Sequence, residues 1–160
     1  MNQNENQVQL KKAVKEFIQC IKDLPDELFL EKIDDWSPRD ILAHLIGWNR
    51  HTISGCQQIK MGNQPNYLIG AEDDFRLVNE ESVLMYSFKG RDQMLDDLED
   101  SYFALENYFL SITPEQWQQD FSVRYMDEVI TIENTVKALI DDYNCHREQI
   151  QTWAENLKNN

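Results

Sequence analysis

Apolar side chains recur at three- and four-residue spacing in four long stretches, the mark of helices with one buried face. Val14, Phe17, Ile18 and Ile21 predict a first helix over about 8–23, ended by Leu24-Pro25, because a residue before proline avoids the helical region. Ser37-Pro38-Arg39-Asp40 supplies a cap, a first-turn proline and a box partner for a second helix reaching about Lys60. Ile41, His44, Leu45, Trp48 and Thr52 line one side of it. A shorter helix is expected over about 74–88, with Phe75, Val78, Ser82 and Met85 as its seam. Met94, Leu95, Leu98, Tyr102, Leu105, Phe109 and Ile112 predict a third long helix over about 91–111, and Thr113-Pro114-Glu115-Gln116 a further helical turn. Residues 121–130 alternate weakly and are ambiguous. Ile132, Val136, Leu139, Tyr143, Ile150 and Trp153 predict the last helix. The polar residues 1–6 and 158–160 are expected to fray. The pattern is that of an all-α, single-domain four-helix bundle over 1–160. The long segment between the second and third long helices allows a crossover.

The last helix carries polar groups beside its apolar stripe. Asp142 and His146, four apart, project from the same side. His44 falls on the inward face of the second helix, so two imidazoles and a carboxylate can converge inside the bundle. That donor set suits a divalent ion such as Zn, Ni, Fe or Mn, with positions left for water or substrate. Trp48 and Tyr143 are expected to shape the pocket. His51, two turns beyond His44, is expected at the surface, as is Asp141, which lies about 100° around the helix from Asp142. Cys145 cannot share a face with its neighbour His146, which makes a thiol–imidazole dyad geometrically poor and packing the expected role. The sequence holds no glycine-rich phosphate loop, GxSxG, HExxH or EF-hand pattern.

Charge narrows the partners. Fifteen Lys and Arg against 29 Asp and Glu give −14, a surface that repels phosphate backbones and anionic membranes. No nucleic-acid and no membrane partner is therefore expected. Cys20, Cys56 and Cys145 show no CxxC spacing and are expected to be reduced thiols. The polar N-terminus lacks a signal-peptide pattern, and no stretch approaches the roughly 20 apolar residues of a membrane span, so the expected location is the cytoplasm.

The run Trp36-Ser37-Pro38-Arg39-Asp40-Ile41-Leu42-Ala43-His44-Leu45-Ile46-Gly47-Trp48-Asn49 resembles the second-helix signature of DinB-like four-helix proteins, and more closely the ClbS/DfsB branch. Asp73-Asp74-Phe75-Arg76-Leu77-Val78-Asn79-Glu80 and Ile150-Gln151-Thr152-Trp153-Ala154-Glu155-Asn156 also resemble that branch. The resemblance implies an antiparallel bundle with a crossover, often a homodimer. DinB-like proteins place one His on the second helix and an HxxxH pair on the last. His44 and His146 match, whereas Asp142 stands at the remaining His position. The ClbS/DfsB branch departs at His44, where its characterised member has Tyr.

Two functions follow as expectations. The first is a metal-dependent enzyme of small-molecule metabolism or detoxification, a hydrolase or thiol transferase using His44, Asp142 and His146. The second is a metal-free protein that binds or sequesters a small molecule or toxin without catalysis, with His44 and Asp142 as a buried hydrogen-bonded pair.

Overall fold

The computed structural model describes residues 2–70 and 75–160. Four long helices form the bundle: α1 (Gln3–Asp23), α2 (Pro38–Lys60), α4 (Arg91–Phe109) and α6 (Ile132–Lys158). Two shorter helices, α3 (Arg76–Tyr86) and α5 (Pro114–Gln118), and a hairpin of β1 (Arg124–Tyr125) and β2 (Glu128–Val129) complete it. Helix α1 lies along α6, while α2 packs against α3, α4 and α6 at once. Enclosure from three sides explains why Ile41 through Gly47 are all buried, a wider apolar surface than the single stripe in the sequence suggests. Phe17, Leu42, Ile46, Met94, Phe109, Trp117 and Val136 meet in one core.

Helix starts follow the capping chemistry. The Ser37 hydroxyl accepts from the Asp40 amide, and the Asp40 carboxylate accepts from the Ser37 amide at 3.0 Å. Thr113 and Gln116 repeat the arrangement at α5, and Thr131 with Asn134 at α6. The expected fraying is corrected for residues 2–6, and Met1 lies outside the described residues. Asn2 and Glu5 form a capping box, Gln3 donates to the Ile112 carbonyl at 3.0 Å, and Trp117 Nε1 donates to buried Asn6 at 2.9 Å. Polar residues that read as a tail are thus tied down by tertiary hydrogen bonds.

The ambiguous 121–130 stretch is a hairpin. Met126 and Asp127 adopt φ of 49° and 64°, the left-handed pair that a two-residue turn needs to match strand twist. The α3 seam is also corrected: Ser82 is buried, but Met85 faces outward, and the expected start at Asp74 lies outside the described residues. Gly47 lets α3 approach α2, because a Cβ there would lie 2.1 Å from the Ser82 hydroxyl. No helix among the described residues is long and apolar enough to cross a membrane.

Candidate functional site

His44 projects from α2 toward Asp142 and His146 on α6. His44 Nε2 lies 2.8 Å from Asp142 Oδ2, and His146 Nε2 lies 3.2 Å from Asp142 Oδ1. One carboxylate therefore bridges two imidazoles, whose centroids are 4.9 Å apart. An ionised carboxylate only accepts, so each ring nitrogen facing it must carry the proton. His146 Nδ1 faces Gln149 Oε1 at 3.0 Å, whereas His44 Nδ1 is buried with no hydrogen-bond partner among the described residues. Trp36 covers the imidazoles, its centroid 5.1 Å from His44 and 6.5 Å from His146.

Burial acts to raise the Asp142 pKa, but the hydrogen bonds from His146 and His44 and the charges of both rings outweigh it, holding the carboxyl well below the usual range. Burial acts to lower the His146 pKa, and its hydrogen bond and attraction to Asp142, with the Gln149 contact, outweigh that and raise it. The cluster is consequently an acid–base pair locked by mutual contact.

The cluster lies between two depressions. The larger, a cavity of about 610 Å³, is bounded by His44 and Asp142 at one end and by Trp48, Tyr67, Phe75 and Leu139 along its walls. The smaller, about 420 Å³, opens on the other side of His146 beside Trp36, Asp35 and Arg76. Trp48 is fixed by a 2.8 Å bond from its Nε1 to Asn79 on α3. Tyr67, in a 3-10 turn over Asn66–Leu68, lies over Gly55, where a Cβ would come within 2.7 Å of its ring.

The structure brings His44, Asp142 and His146 together, with one ligand atom from each within 4.8 Å of the others, and sets Trp48 in the cavity wall. The expectation for Tyr143 is corrected. It is 0% exposed, meets Phe17 edge-on and donates to Asn49 at 2.9 Å, because one residue beyond Asp142 turns the side chain to the α1 and α2 side. Cys145 is exposed at the cavity edge rather than packed. His51 is half-buried among Trp48 and Tyr67, and burial lowers its pKa. Tyr67 and the wall role of Phe75 escaped the sequence reading. The available signal was Gly55, a small residue on α2 opposite a connection containing an aromatic.

No family profile and no curated protein matches the chain. Solved structures do. DfsB, described as a sibling lethal factor precursor, superposes with a TM-score of 0.80 at 13% identity, covering 98% of this chain and 97% of that one. The colibactin self-resistance protein ClbS, in complex with double-stranded DNA, gives 0.78 at 11% identity over 95% and 94%. An uncharacterised protein from Escherichia coli UTI89 gives 0.78 at 16% identity over 98% and 95%. Two expectations are corrected by these findings. The exclusion of nucleic acid does not hold, because a protein of this fold is seen with duplex DNA, and net charge speaks only to the summed field. The expectation of a metal-dependent hydrolase or thiol transferase is withdrawn, since the neighbour named by function is a self-resistance protein and nothing in the comparisons speaks for metal-dependent catalysis. What the bundle does share is its architecture: the chain is a ClbS/DfsB-like all-α helical bundle.

Proposed function

We propose that the chain is a binding protein of the resistance type, holding a small molecule in the cavity between α2, α3 and α6. The observation that carries this reading is the aromatic-walled cavity of about 610 Å³ that also exposes the polar groups of His44 and Asp142. Apolar walls with few convergent polar groups are the usual make-up of a small-molecule site. The likeness in fold to a self-resistance protein supports it. The ligand would be enclosed by Trp48, Tyr67 and Phe75, with His44 and Asp142 open to a polar group elsewhere on it. A thermal-shift screen of small molecules tests it. Compounds should raise the melting temperature of the wild type and lose that effect in Trp48→Leu. A screen in which no compound separates the two proteins overturns it.

The same three residues are where a divalent ion would be held. Two imidazoles and a carboxylate within 4.8 Å are a fitting donor set. Bound there, it would supply a Lewis-acidic anchor for a ligand donor atom. Loading would need the imidazole nitrogens that face Asp142 to be free of protons, by a shift to the other ring nitrogen in a neutral ring or by loss to solvent from a charged one. Metal analysis of untagged protein after incubation with Zn, set against His44→Ala, checks this: near-stoichiometric retention in the wild type alone is expected.

Duplex DNA is a second reading, favoured by the complex that ClbS forms. Fluorescence anisotropy of a labelled duplex at low salt tests it. Binding that weakens steeply as salt rises would support phosphate contact, and a flat titration would exclude it.

A further inference from the structure

We infer that the cavity selects an organic cation, a tertiary or quaternary ammonium carried on an apolar body. The inference rests on the small-molecule reading above and names the ligand class for that site. Its basis is the arrangement of three rings. Trp48 and Tyr67 have centroids 5.1 Å apart at 77°, Trp48 and Phe75 5.7 Å at 85°, and Tyr67 and Phe75 6.4 Å at 69°. The three rings pack edge against face, and all three line the cavity. The face of each ring is the negative pole of its quadrupole, so a cation seated against the faces left open to the cavity is attracted, and edge-to-face packing of the neighbours holds those faces in place.

This aromatic wall is built rather than incidental. Asn79 pins the indole through its Nε1, and Gly55 gives Tyr67 its seat. Phe75 holds φ of 54°, a left-handed conformation that non-glycine residues adopt only at a cost, and its ring packs against the other two.

Charge points the same way. Among the described residues lining the cavity there is no Lys or Arg, while Asp141 and Asp142 both reach it. Asp142 is engaged by two imidazoles, so the rings and the Asp141 carboxylate carry the discrimination. An anionic ligand would find no fixed cation on these walls. The volume exceeds what a bare ammonium needs, which is why an apolar body is part of the class.

Benzyltrimethylammonium, its neutral tert-butyl isostere neopentylbenzene and the anion benzylphosphonate form the probe set. Binding is followed by tryptophan fluorescence and calorimetry on the full chain. The cation should bind at least about tenfold tighter than the neutral isostere, and the anion should not bind. Phe75→Leu keeps an apolar wall but removes a π face, and should cut the preference to under about threefold. Trp48→Leu should do the same, with circular dichroism confirming its helices; if that variant unfolds, Phe75→Leu and Tyr67→Leu serve instead. A wild type that binds the neutral or anionic probe as tightly as the cation overturns the ligand class while the small-molecule reading stands. Failure of every probe to bind overturns the ligand class, and the thermal-shift screen then decides the small-molecule reading by itself.

Discussion

Asp142 and Tyr143 are adjacent, yet one enters the site and the other the core. The sequence shows that both belong to the inner half of α6, but not which neighbour each meets, because that depends on where α1 and α2 lie around it. Tyr143 donates to Asn49, whose amide donates to Ser101 at 2.9 Å, and Ser101 donates to the Leu98 carbonyl. All are buried, so Tyr143→Phe should destabilise by about 1–3 kcal/mol through the unpaired Asn49 oxygen. Urea unfolding measures that loss, and cavity binding should be unchanged. His146 makes a second test at this scale. Its pKa is raised above the ordinary 6.5, so the stability it contributes is complete below about pH 6.5 and is lost as pH rises through the folded value. Asp142 behaves oppositely: its contribution is complete above its ordinary 3.8 and is lost as pH falls toward its depressed value. The pair is thus fully formed between about pH 4 and 6.5. An NMR titration should show His146 titrating above 6.5 in the wild type and below it in Asp142→Asn, where burial remains without the carboxylate.

At the scale of elements, starts were more legible than contacts. Ser37 with Asp40 and Thr113 with Gln116 announce α2 and α5, because capping chemistry is local. The start of α1 has a local mark too, the Asn2–Glu5 capping box, but the bond that ties it down, from Trp117 to Asn6 more than a hundred residues away, has no local signal. The hairpin turn at Met126-Asp127 lacks the glycine that normally marks one. The docking of α3 on α2 was equally hidden, although Gly47 is its cause. Gly47→Ala would force a Cβ to within 2.1 Å of the Ser82 hydroxyl and 2.6 Å of its Cβ. The expected loss is about 1–3 kcal/mol, with α3 displaced and the Trp48–Asn79 bond weakened. Ser82→Ala should not rescue that variant, since the Cβ contact persists. Ser82→Gly should recover part of the stability, less the roughly 1 kcal/mol that glycine costs inside a helix. Thermal melts of the single and double variants separate these cases, and rescue by Ser82→Ala would show that the crowding lies elsewhere.

Across the whole molecule, the charge of −14 is legible to the last residue, but its consequence is a field rather than a partner. It says that carboxylates repel one another over distances of a Debye length, roughly 10 Å at 0.1 M salt, and it leaves local contacts open. Among the described residues some of the ion pairs that offset this repulsion are partly buried, Lys89 with Asp97 and Arg147 with Glu16, and others are exposed: Lys12 with Glu16, Arg76 with Glu80, Arg124 with Asp120. Such exposed pairs contribute little and are themselves screened. Net repulsion therefore outweighs them, and added salt should stabilise this protein rather than loosen it. Raising NaCl from about 0.01 to 0.2 M shortens the Debye length from about 30 Å to under 10 Å. Relief on the order of 1 kcal/mol corresponds to a rise of about 2–4 °C in melting temperature for a chain of this size. The buried His44–Asp142–His146 contacts are screened far less, so Asp142→Asn should show the same salt slope as the wild type from a lower starting point. A melting temperature that falls with salt would mean that specific ion pairs, not the summed charge, govern the bundle's stability.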